Sequence, residues 1–287
     1  MSYLEFELSV IIVSYNVREE LRKCLSGLAG IPDSWEIIVV DNHSGDQSLA
    51  TLKTQFPQIK TYQNSKNLGF AQAANQGIIE STGEYVLLLN PDTEVASASL
   101  RKMVEFLNSS RKVGILGCQI QNPSGDRQYS GRSFPSFSTA FSNNQSFLNR
   151  LIPHNPWSRK YMRKDLPLDQ PGEVDWVSGS CMLIRREVFW KVGYFDPRFF
   201  MFVEDVDFCK RTKGAGWKVV YYPLVTIFHR NGRSVRQKKI KMLAEHHKSM
   251  YYYFTKHYDC NKLTQLLVFL GIWLRLGTVS LGHWLKT

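Results

Sequence analysis

Three short runs of apolar residues stand out in the first third of the chain, and none of them alternates with polar residues. The runs are Leu8–Ser14, Trp35–Asp41 and Glu84–Asn90. A continuous run that is rich in β-branched residues is typical of a strand buried on both faces, as in a parallel sheet. Helical stretches lie between the runs, so their order predicts an open, mostly parallel α/β sheet flanked by helices.

Other stretches extend this succession of strands and helices. We predict further strands at 59–62, 113–119 and 217–222, an ordered segment at 174–184, and helices at 18–28, 46–55, 70–81, 100–108, 186–192 and 203–212. Positions 122–171 are rich in Ser, Asn, Pro and Arg and lack periodicity. So long a stretch without regular elements predicts a functional or mobile loop.

The end of the chain differs from the rest in charge and hydropathy. From Arg230 to Lys262 it carries nine Lys and Arg against two acidic residues. A basic helix is predicted at 234–258, and the apolar stretch after it has too short an uninterrupted run to span a membrane. We divide the chain into a domain at 1–235 and C-terminal helices at 236–287. We expect these helices to anchor the protein on an anionic membrane surface, with packing on the domain or a dimer contact as the alternative.

Composition excludes several classes of protein. Among 287 residues, 43% are hydrophobic and 21% charged, which is ordinary for a globular chain and excludes global disorder. The five cysteines form no C-x-x-C pair, which argues against a disulfide framework and a zinc ribbon. The first residues lack the pattern of a signal peptide, so we expect a cytoplasmic location. Despite the net charge of +11, no nucleic-acid-binding motif is present.

Candidate chemistry begins where the apolar runs end. Ser14, Tyr15 and Asn16 close the first run, and Asp41 and Asn42 close the second. Ligands of open parallel sheets bind at the carboxyl ends of the strands, where an acidic group can accept from ribose hydroxyls. The alternative for Asp41 is a turn that leads into a helix. Neither G-x-G-x-x-G after the first strand nor a P-loop occurs, which argues against dinucleotide oxidoreductases and P-loop enzymes.

The third run ends in Asn90-Pro91-Asp92, which predicts either a metal ligand or a simple turn. A carboxylate at the end of a buried strand is costly unless it is paired or bound to a cation. Mg²⁺ and Mn²⁺ are often held by one or two carboxylates together with substrate phosphates. His229 is a second candidate ligand or a structural histidine, and Arg230 or Arg233 is placed to clamp a diphosphate.

A cluster of carboxylates supplies a candidate base. Glu204, Asp205 and Asp207 lie within four positions, between apolar residues. Clustered carboxylates repel one another and raise a pKa, which suits a general base that takes a proton from a hydroxyl group. The alternative is acidic charge that complements the dipole at the start of a helix.

The segment Trp176-Val177-Ser178-Gly179-Ser180 combines an indole with small polar residues. The indole is a suitable stacking surface for a sugar or a base, and Ser178 and Gly179 allow the backbone to approach a ligand closely. A tryptophan buried in the core is the alternative.

Taken together and in order, several stretches resemble the inverting family 2 glycosyltransferases of the GT-A fold, nearest the rhamnosyltransferase-like members of cell-surface polysaccharide assembly. The matching pieces are SVIIVSYN (9–16), IIVVDNHSGD (37–46), NLGFAQAANQGI (67–78), GEYVLLLNPDTEV (83–95), VDWVSGSCMLIRREVFWKVGYFDPRFFMFVEDVDFCKR (174–211) and FHRNGRS (228–234). The ordered set is specific, whereas any single piece is not.

The resemblance implies a role for each matching position. The residues that would hold the nucleotide base and ribose are Tyr15, Asn16, Asp41 and Asn42, and those in the segment lining the donor site are Gly69, Phe70 and Asn75. Asp92 matches the last acid of a DxD-type motif that binds Mn²⁺ or Mg²⁺ on the donor diphosphate, although Asn90 replaces the first acid. Asp205 matches the catalytic base, and His229 matches a residue that binds metal or diphosphate.

The resemblance also implies the substrates. The donor would be a nucleoside-diphosphate sugar, with rhamnose from a deoxythymidine diphosphate donor as the first expectation. A lipid-linked or polysaccharide acceptor fits the predicted position at the cytoplasmic face of a membrane. Two alternatives stay open at this point: a catalytically silent module that binds nucleotide or carbohydrate, and a nucleotidyltransferase.

Overall fold

The computed structural model describes residues 4–136, 160–163, 165–230, 239–259 and 261–284. Its strands are β1 (Phe6–Ser14), β2 (Trp35–Asp41), β3 (Lys60–Gln63), β4 (Gly83–Leu89), β5 (Thr93–Glu94), β6 (Val113–Gln121), β7 (Arg127–Gln128), β8 (Gly131–Arg132), β9 (Gly172–Glu173), β10 (Trp176–Val177), β11 (Cys181–Arg185) and β12 (Lys218–His229). Its helices are α1 (Arg18–Gly27), α2 (Ser48–Gln55), α3 (Phe70–Ile79), α4 (Ser97–Ser109), α5 (Arg186–Val192), α6 (Glu204–Gly214), α7 (Lys239–His257) and α8 (Lys262–Trp284).

The main sheet has the order β3-β2-β1-β4-β11-β6-β12-β5 within the described residues. Strands β3, β2, β1 and β4 run parallel to one another, and β6 and β12 form a second parallel pair. The prediction of an open, mostly parallel α/β sheet flanked by helices is confirmed. The predicted loop at 122–171 contains β7 and β8, and its positions 137–159 and 164 lie outside the described residues.

Strand β11 enters the sheet between β4 and β6 and runs antiparallel to both, which the pattern of apolar runs did not indicate. Its first residue, Cys181, pairs with Leu89 at the end of β4. The turn before β11 therefore lies at the carboxyl end of β4, where the Asn90 N–H donates to the Ser180 carbonyl at 3.0 Å. This pairing brings the segment at 176–180 to the edge where β1 and β2 also end.

Strand β12 is longer than the predicted strand at 217–222. Its register against β6 shifts between Tyr222 and Thr226, around Pro223. Proline has no N–H to donate to the ladder, so the strand accommodates it in an irregularity and then continues. The continuation places His229 opposite Thr93, next to the Asn90-Pro91-Asp92 turn.

Helix α7 packs on the sheet domain, and packing on the domain was one of the alternatives to a membrane anchor for the C-terminal helices. Tyr253 and Phe254 are fully buried in the same hydrophobic cluster as Val206 and Phe208 of α6. Helix α8 differs, because its exposed side chains form an apolar stripe at Leu263, Leu266, Leu267, Leu270 and Leu274. None of the helices in the described part of the chain has both the length and the apolar character needed to cross a membrane.

Candidate active site

A cavity of about 650 Å³ opens at the carboxyl ends of β1, β2 and β4. Ten of the predicted site residues and the two predicted metal ligands lie on a continuous wall around it. The predicted residues that line it are Tyr15, Asn42, Gly69, Phe70, Asn90, Asp92, Trp176, Ser178, Gly179, Glu204, Asp205 and His229. The structure therefore brings together side chains that are up to 214 positions apart in the sequence, between Tyr15 and His229.

Asn42 is the centre of a hydrogen-bond network on one side of the cavity. Its Nδ2 donates to Asn67 Oδ1 at 3.0 Å and to the Gly69 carbonyl at 3.1 Å. Its Oδ1 accepts from Asn64 Nδ2 at 3.1 Å and from the Leu68 N–H at 3.0 Å. All the hydrogen-bonding capacity of the amide is used within the protein, so Asn42 shapes the wall of the cavity and has little left for a nucleotide.

The loop between Asn42 and α3 approaches the segment before α6 very closely at Gly69. Gly69 has φ +84°, and a Cβ atom there would collide with the carbonyl oxygen of Phe200. The next N–H, that of Phe70, donates to the same carbonyl at 2.7 Å. Only glycine satisfies both the backbone angle and the close approach, which explains the residue at this position.

Ser14, Asn16 and Asp41 lie beside the cavity but do not line it. Asp41 Oδ2 accepts from the Ser44 N–H at 3.2 Å, and Asn16 Oδ1 accepts from the Gly45 N–H at 2.8 Å. These contacts correspond to the turn that was the alternative for Asp41. Asp41 Oδ1 and the Ser14 hydroxyl are buried without a hydrogen-bond partner within the described residues.

Asp92 and His229 form a pair at the floor of the cavity, with Asp92 Oδ1 3.0 Å from His229 Nε2. Gln128 orients the imidazole through its other ring nitrogen. Its Nε2 donates to the His229 carbonyl, and its Oε1 lies 3.3 Å from His229 Nδ1. With the proton on Nδ1, Nε2 is an acceptor that faces both the Asp92 carboxylate and the Asn90 side-chain amide, whose Nδ2 lies 3.5 Å away, and a cation there would be bound by the imidazole and the carboxylate together. An imidazole oriented by an outer acceptor is the usual state of a histidine that binds metal.

These residues fit a divalent cation whose other ligands come from a substrate. Adjacent ligands of an ion with bonds of about 2.1 Å lie about 3.0 Å apart, as these two atoms do. The described residues contain no group of three or more His, Cys, Asp or Glu side chains able to hold a metal by themselves. Phosphate oxygens of a donor would complete such a site, as is common for Mg²⁺.

The two acidic residues at the start of α6 also line the cavity. Asp205 Oδ2 accepts from the Gly179 N–H at 3.0 Å, and its Oδ1 accepts from the Val206 N–H at 2.8 Å. Asp205 stays partly exposed to the cavity, whereas Glu204 is buried and its Oε2 has no hydrogen-bond partner within the described residues.

This environment gives the two carboxyl groups different roles. Burial raises the pKa of Asp205, and the hydrogen bonds from the Gly179 and Val206 backbone and the charge of Arg132 oppose the rise. Burial and the charge of Asp205 together raise the pKa of Glu204 well above its ordinary value. Two backbone N–H donors favour the ionised form of Asp205, whereas Glu204 Oε2 has no hydrogen-bond partner within the described residues, so Asp205 is the better suited of the two to accept a proton.

Arg132 lines the cavity and was missed by the sequence reasoning. Its guanidinium lies 5.1 Å from the centre of the Trp176 ring, so the predicted stacking surface is covered by a protein side chain. The Trp176 indole N–H donates to the Ser133 carbonyl at 2.8 Å, and only 7% of the residue is exposed. The guanidinium covers one face of the ring, and the low exposure of Trp176 favours the alternative of a tryptophan buried in the core.

Helix α7 supplies a further part of the wall that no pattern indicated. Met242, His246 and Met250 are spaced by four residues on one face of α7 and line the cavity. The His246 ring packs edge-on against Phe202 at 5.5 Å. The spacing of the three residues is the signal that was available, but the predicted basic helix was assigned to a membrane surface.

Two of the predicted site residues lie elsewhere or outside the described residues. Asn75 was expected in the donor site, but its Nδ2 donates to the Phe195 carbonyl and its Oδ1 accepts from the Phe195 N–H. Asn75 therefore ties α3 to the segment before α6 and is not part of the cavity wall. Arg233, predicted to clamp a diphosphate, lies outside the described residues.

A comparison with protein families matches residues 9–193 to the family described as glycosyl transferase family 2. The chain belongs to glycosyl transferase family 2. The matched range includes Asp41, Asp92 and Ser178, and it ends before α6 and His229. The expectation that the protein is a glycosyltransferase is confirmed.

Similar proteins support the same conclusion over most of the chain. An N-acetylglucosaminyl-diphospho-decaprenol L-rhamnosyltransferase of Mycobacterium tuberculosis is 31% identical over 265 residues, which are 88% of this chain and 85% of the relative. Rhamnosyltransferase WbbL of Escherichia coli is 27% identical over 255 residues, or 86% of this chain and 92% of the relative.

Solved structures share the fold of this family 2 glycosyltransferase. A mannosyltransferase of Pyrobaculum calidifontis in complex with GDP-Man and Mn²⁺ has a TM-score of 0.59, with 16% identity, and the match covers 93% of this chain and 69% of that one. Residues 1–349 of TarS from S. aureus in complex with UDP-GlcNAc have a TM-score of 0.61, with 16% identity, covering 93% and 71%. These similarities show the GT-A glycosyltransferase fold.

Proposed function

We propose that the protein transfers a sugar with inversion from a nucleoside-diphosphate donor to a hydroxyl group of a lipid-linked acceptor. The observation that carries this proposal is that one cavity holds both the Asp92–His229 pair and the carboxylate of Asp205. The Asp92–His229 pair would stabilise the departing diphosphate, and Asp205 would accept the proton of the attacking hydroxyl group. A single displacement needs both of these and no nucleophilic carboxylate.

The step moves one proton and exchanges one bond. The acceptor oxygen forms a bond to the anomeric carbon as the bond from that carbon to the donor diphosphate breaks. Asp205 takes the proton of the acceptor hydroxyl, while the Gly179 N–H holds its other oxygen at 3.0 Å. Asp92 and His229 would hold a Mn²⁺ or Mg²⁺ ion, which supplies Lewis-acid stabilisation of the negative charge on the leaving diphosphate.

Other residues of the cavity wall suit the base, the ribose and the sugar of the donor. Tyr15 and Asn67 line the cavity on the side of the Asn42 network and are placed to hold the base and ribose. We propose rhamnose as the sugar, because the M. tuberculosis and E. coli relatives are named rhamnosyltransferases. The same names, one of which specifies a diphospho-decaprenol substrate, favour a lipid-linked acceptor. We retain deoxythymidine diphosphate as the expected donor nucleotide.

The experiment that tests this function measures nucleotide binding and acceptor-dependent turnover. We expect one of UDP, dTDP and GDP to bind tightly in a calorimetric titration with Mn²⁺ and much more weakly with EDTA. Adding a lipid-linked acceptor should then accelerate release of that nucleotide from its sugar donor. Binding without such release, for every donor tested, would indicate a silent binding module. Release of pyrophosphate from a nucleoside triphosphate and a sugar phosphate would indicate a nucleotidyltransferase.

We also propose that α8 places the enzyme on the cytoplasmic face of an anionic membrane. Its leucine stripe is between 52% and 72% exposed, and a basic segment precedes it in the chain. Burial of the leucine stripe at the lipid interface would contribute to the free energy of membrane binding, and each nearby Lys or Arg would add about 1 kcal/mol.

Replacing Leu266 and Leu270 by Glu should lower binding to phosphatidylglycerol vesicles at least tenfold in a flotation assay. The matched control replaces two exposed apolar residues elsewhere, Ile79 and Leu168, by Glu. Equal binding by both double variants would exclude the stripe as the membrane contact. A dimer that dissociates only in the α8 variant would indicate that a second copy covers the stripe.

A further inference from the structure

The turn that leads into the base-bearing helix has an unfavourable backbone conformation. Phe202 and Val203 both have φ +69°, in the left-handed region that a bulky or β-branched residue rarely adopts. Glu204 and Asp205 follow directly as the first two residues of α6. Such strain persists only where surrounding contacts determine the conformation, so something outside the turn must hold it.

Helix α7 makes contacts that hold this turn. The Ser249 hydroxyl donates to the Met201 carbonyl at 3.0 Å, and Ser249 is only 4% exposed. The His246 ring lies edge-on against Phe202 on the same face of the helix. Both contacts fall on the residues just before or within the left-handed pair, although the contacting residues of α7 lie 48 and 44 positions further along the chain.

The end of α7 is also fixed to α6 itself. Lys256 Nζ lies 2.6 Å from Asp207 Oδ1 and 2.8 Å from Asp196 Oδ2, so one ammonium group bridges two carboxylates. His257 Nε2 lies 2.7 Å from the same Asp207 oxygen. Asp207 is fully buried and lies two residues after Asp205. Removing one partner of a buried ion pair is strongly destabilising, because the remaining charge is left without compensation.

We propose that α7 is a clamp that positions Asp205, with Ser249 and Lys256 as positioning residues. This inference rests on the proposed function, in which Asp205 is the base. The clamp fixes the turn from one side, and the Phe70–Phe200 hydrogen bond fixes it from the other. If the turn relaxes, Asp205 Oδ2 moves away from the Gly179 N–H, and the carboxylate no longer faces the acceptor hydroxyl.

Within the described residues, the clamp makes no contact with three residues proposed to hold the donor, Tyr15, Asp92 and His229. Tyr15 follows β1, Asp92 lies between β4 and β5, and His229 ends β12, so the sheet itself positions all three. Loosening the turn should therefore reduce the chemical step and leave donor binding unchanged. A merely structural role of α7 would instead lower stability and affect both.

The test compares Ser249→Ala with Ser249→Thr, which keeps the hydroxyl. We expect Ser249→Ala to lower kcat about tenfold, because it removes the side-chain donor to the Met201 carbonyl. Ser249→Thr should stay within about threefold of the unaltered enzyme. The Kd of the donor nucleotide, measured with Mn²⁺, should change by less than twofold in both variants. Hydrogen exchange at the amides of Val206 and Asp207 should accelerate in Ser249→Ala alone.

Lys256→Met tests the second contact, with Lys248→Met on the same helix as its matched control. The Lys248 side chain is 57% exposed and pairs with Glu245 at the surface. We expect Lys256→Met to lower kcat more than Lys248→Met, again without weakening the donor. If Lys256→Met does not fold, Ser249→Ala decides, since it removes a single oxygen atom.

Different results overturn the clamp and the proposed function. Normal kcat and normal exchange in Ser249→Ala, beside an inactive Asp205→Asn enzyme, would overturn the clamp alone. An equal loss of donor binding and kcat would also overturn it, in favour of general destabilisation. Full turnover by Asp205→Asn would overturn the assignment of the base and, with it, the clamp's catalytic purpose.

Discussion

Replacing Asp205 by Asn should lower kcat by about 10²–10⁴-fold, because the amide cannot take the proton of the acceptor hydroxyl. The amide has nearly the same shape, and its oxygen can still accept from the Gly179 N–H. Donor binding should therefore stay within about twofold. Steady-state release of the nucleoside diphosphate gives kcat, and calorimetry with Mn²⁺ gives the Kd of the nucleotide.

The matched control is Asp126→Asn, which makes the same chemical change in an exposed turn and should leave kcat unchanged. Glu204→Gln separates the two acidic neighbours, because it removes the second carboxyl group and leaves Asp205 and its two backbone donors in place. We expect Glu204→Gln to retain most of the turnover. A loss as large as that of Asp205→Asn would show that the two carboxyl groups share the base role.

The same assignment fixes the sign of the pH dependence. Asp205 must be deprotonated to act, and burial raises its pKa above that of an ordinary aspartic acid. The kcat/KM should therefore fall as the pH decreases, and the fall should begin at a higher pH than an exposed carboxyl group would give. A profile without this acid limb would contradict the role of Asp205.

Replacing Asp92 by Asn should weaken metal-dependent binding of the donor nucleotide at least about 100-fold. The variant removes the negative charge that faces His229 Nε2 and keeps the size of the side chain. Titration of the nucleotide with Mn²⁺ and with EDTA measures the effect, and the difference between the two conditions should nearly vanish in the variant.

Glu94→Gln is the matched control for Asp92. Glu94 lies two residues further along, where it pairs with Arg230 at the surface, and 43% of its side chain is exposed. Its replacement should leave the effect of Mn²⁺ intact. If Asp92→Asn binds the nucleotide as tightly as the unaltered enzyme, with and without chelator, Asp92 is not a metal ligand.

Local sequence patterns predicted the sheet and the residues that line the cavity at the ends of its strands. The runs that form β1, β2 and β4 are continuous and apolar because both faces of these strands are covered by helices. Their polar ends necessarily meet at one edge. The sequence near these strands therefore located Tyr15, Asn90 and Asp92 before any contact was known.

Contacts between distant parts of the chain could not be predicted in the same way. Asn75 resembles a polar site residue, but its amide is satisfied by Phe195, 120 positions away. The apolar face of α7 is compatible with either a membrane or a cavity wall, and only tertiary packing distinguishes them. Arg132 lies in a segment without periodicity, so no pattern indicated that its guanidinium would cover Trp176.

The insertion of β11 has a consequence for how the protein folds. Strands β3, β2, β1 and β4 come from the first 89 residues and pair without help from the rest of the chain. Strand β6 joins them only through β11, which lies about 60 residues further along the chain. Pairing of β11 with β4 and β6 therefore costs more loop entropy, and has a higher contact order, than pairing among the first four strands. The topology therefore favours assembly of the part of the cleft that contains Tyr15 and Asn42 during synthesis, before the part that contains Asp205 and His229 exists.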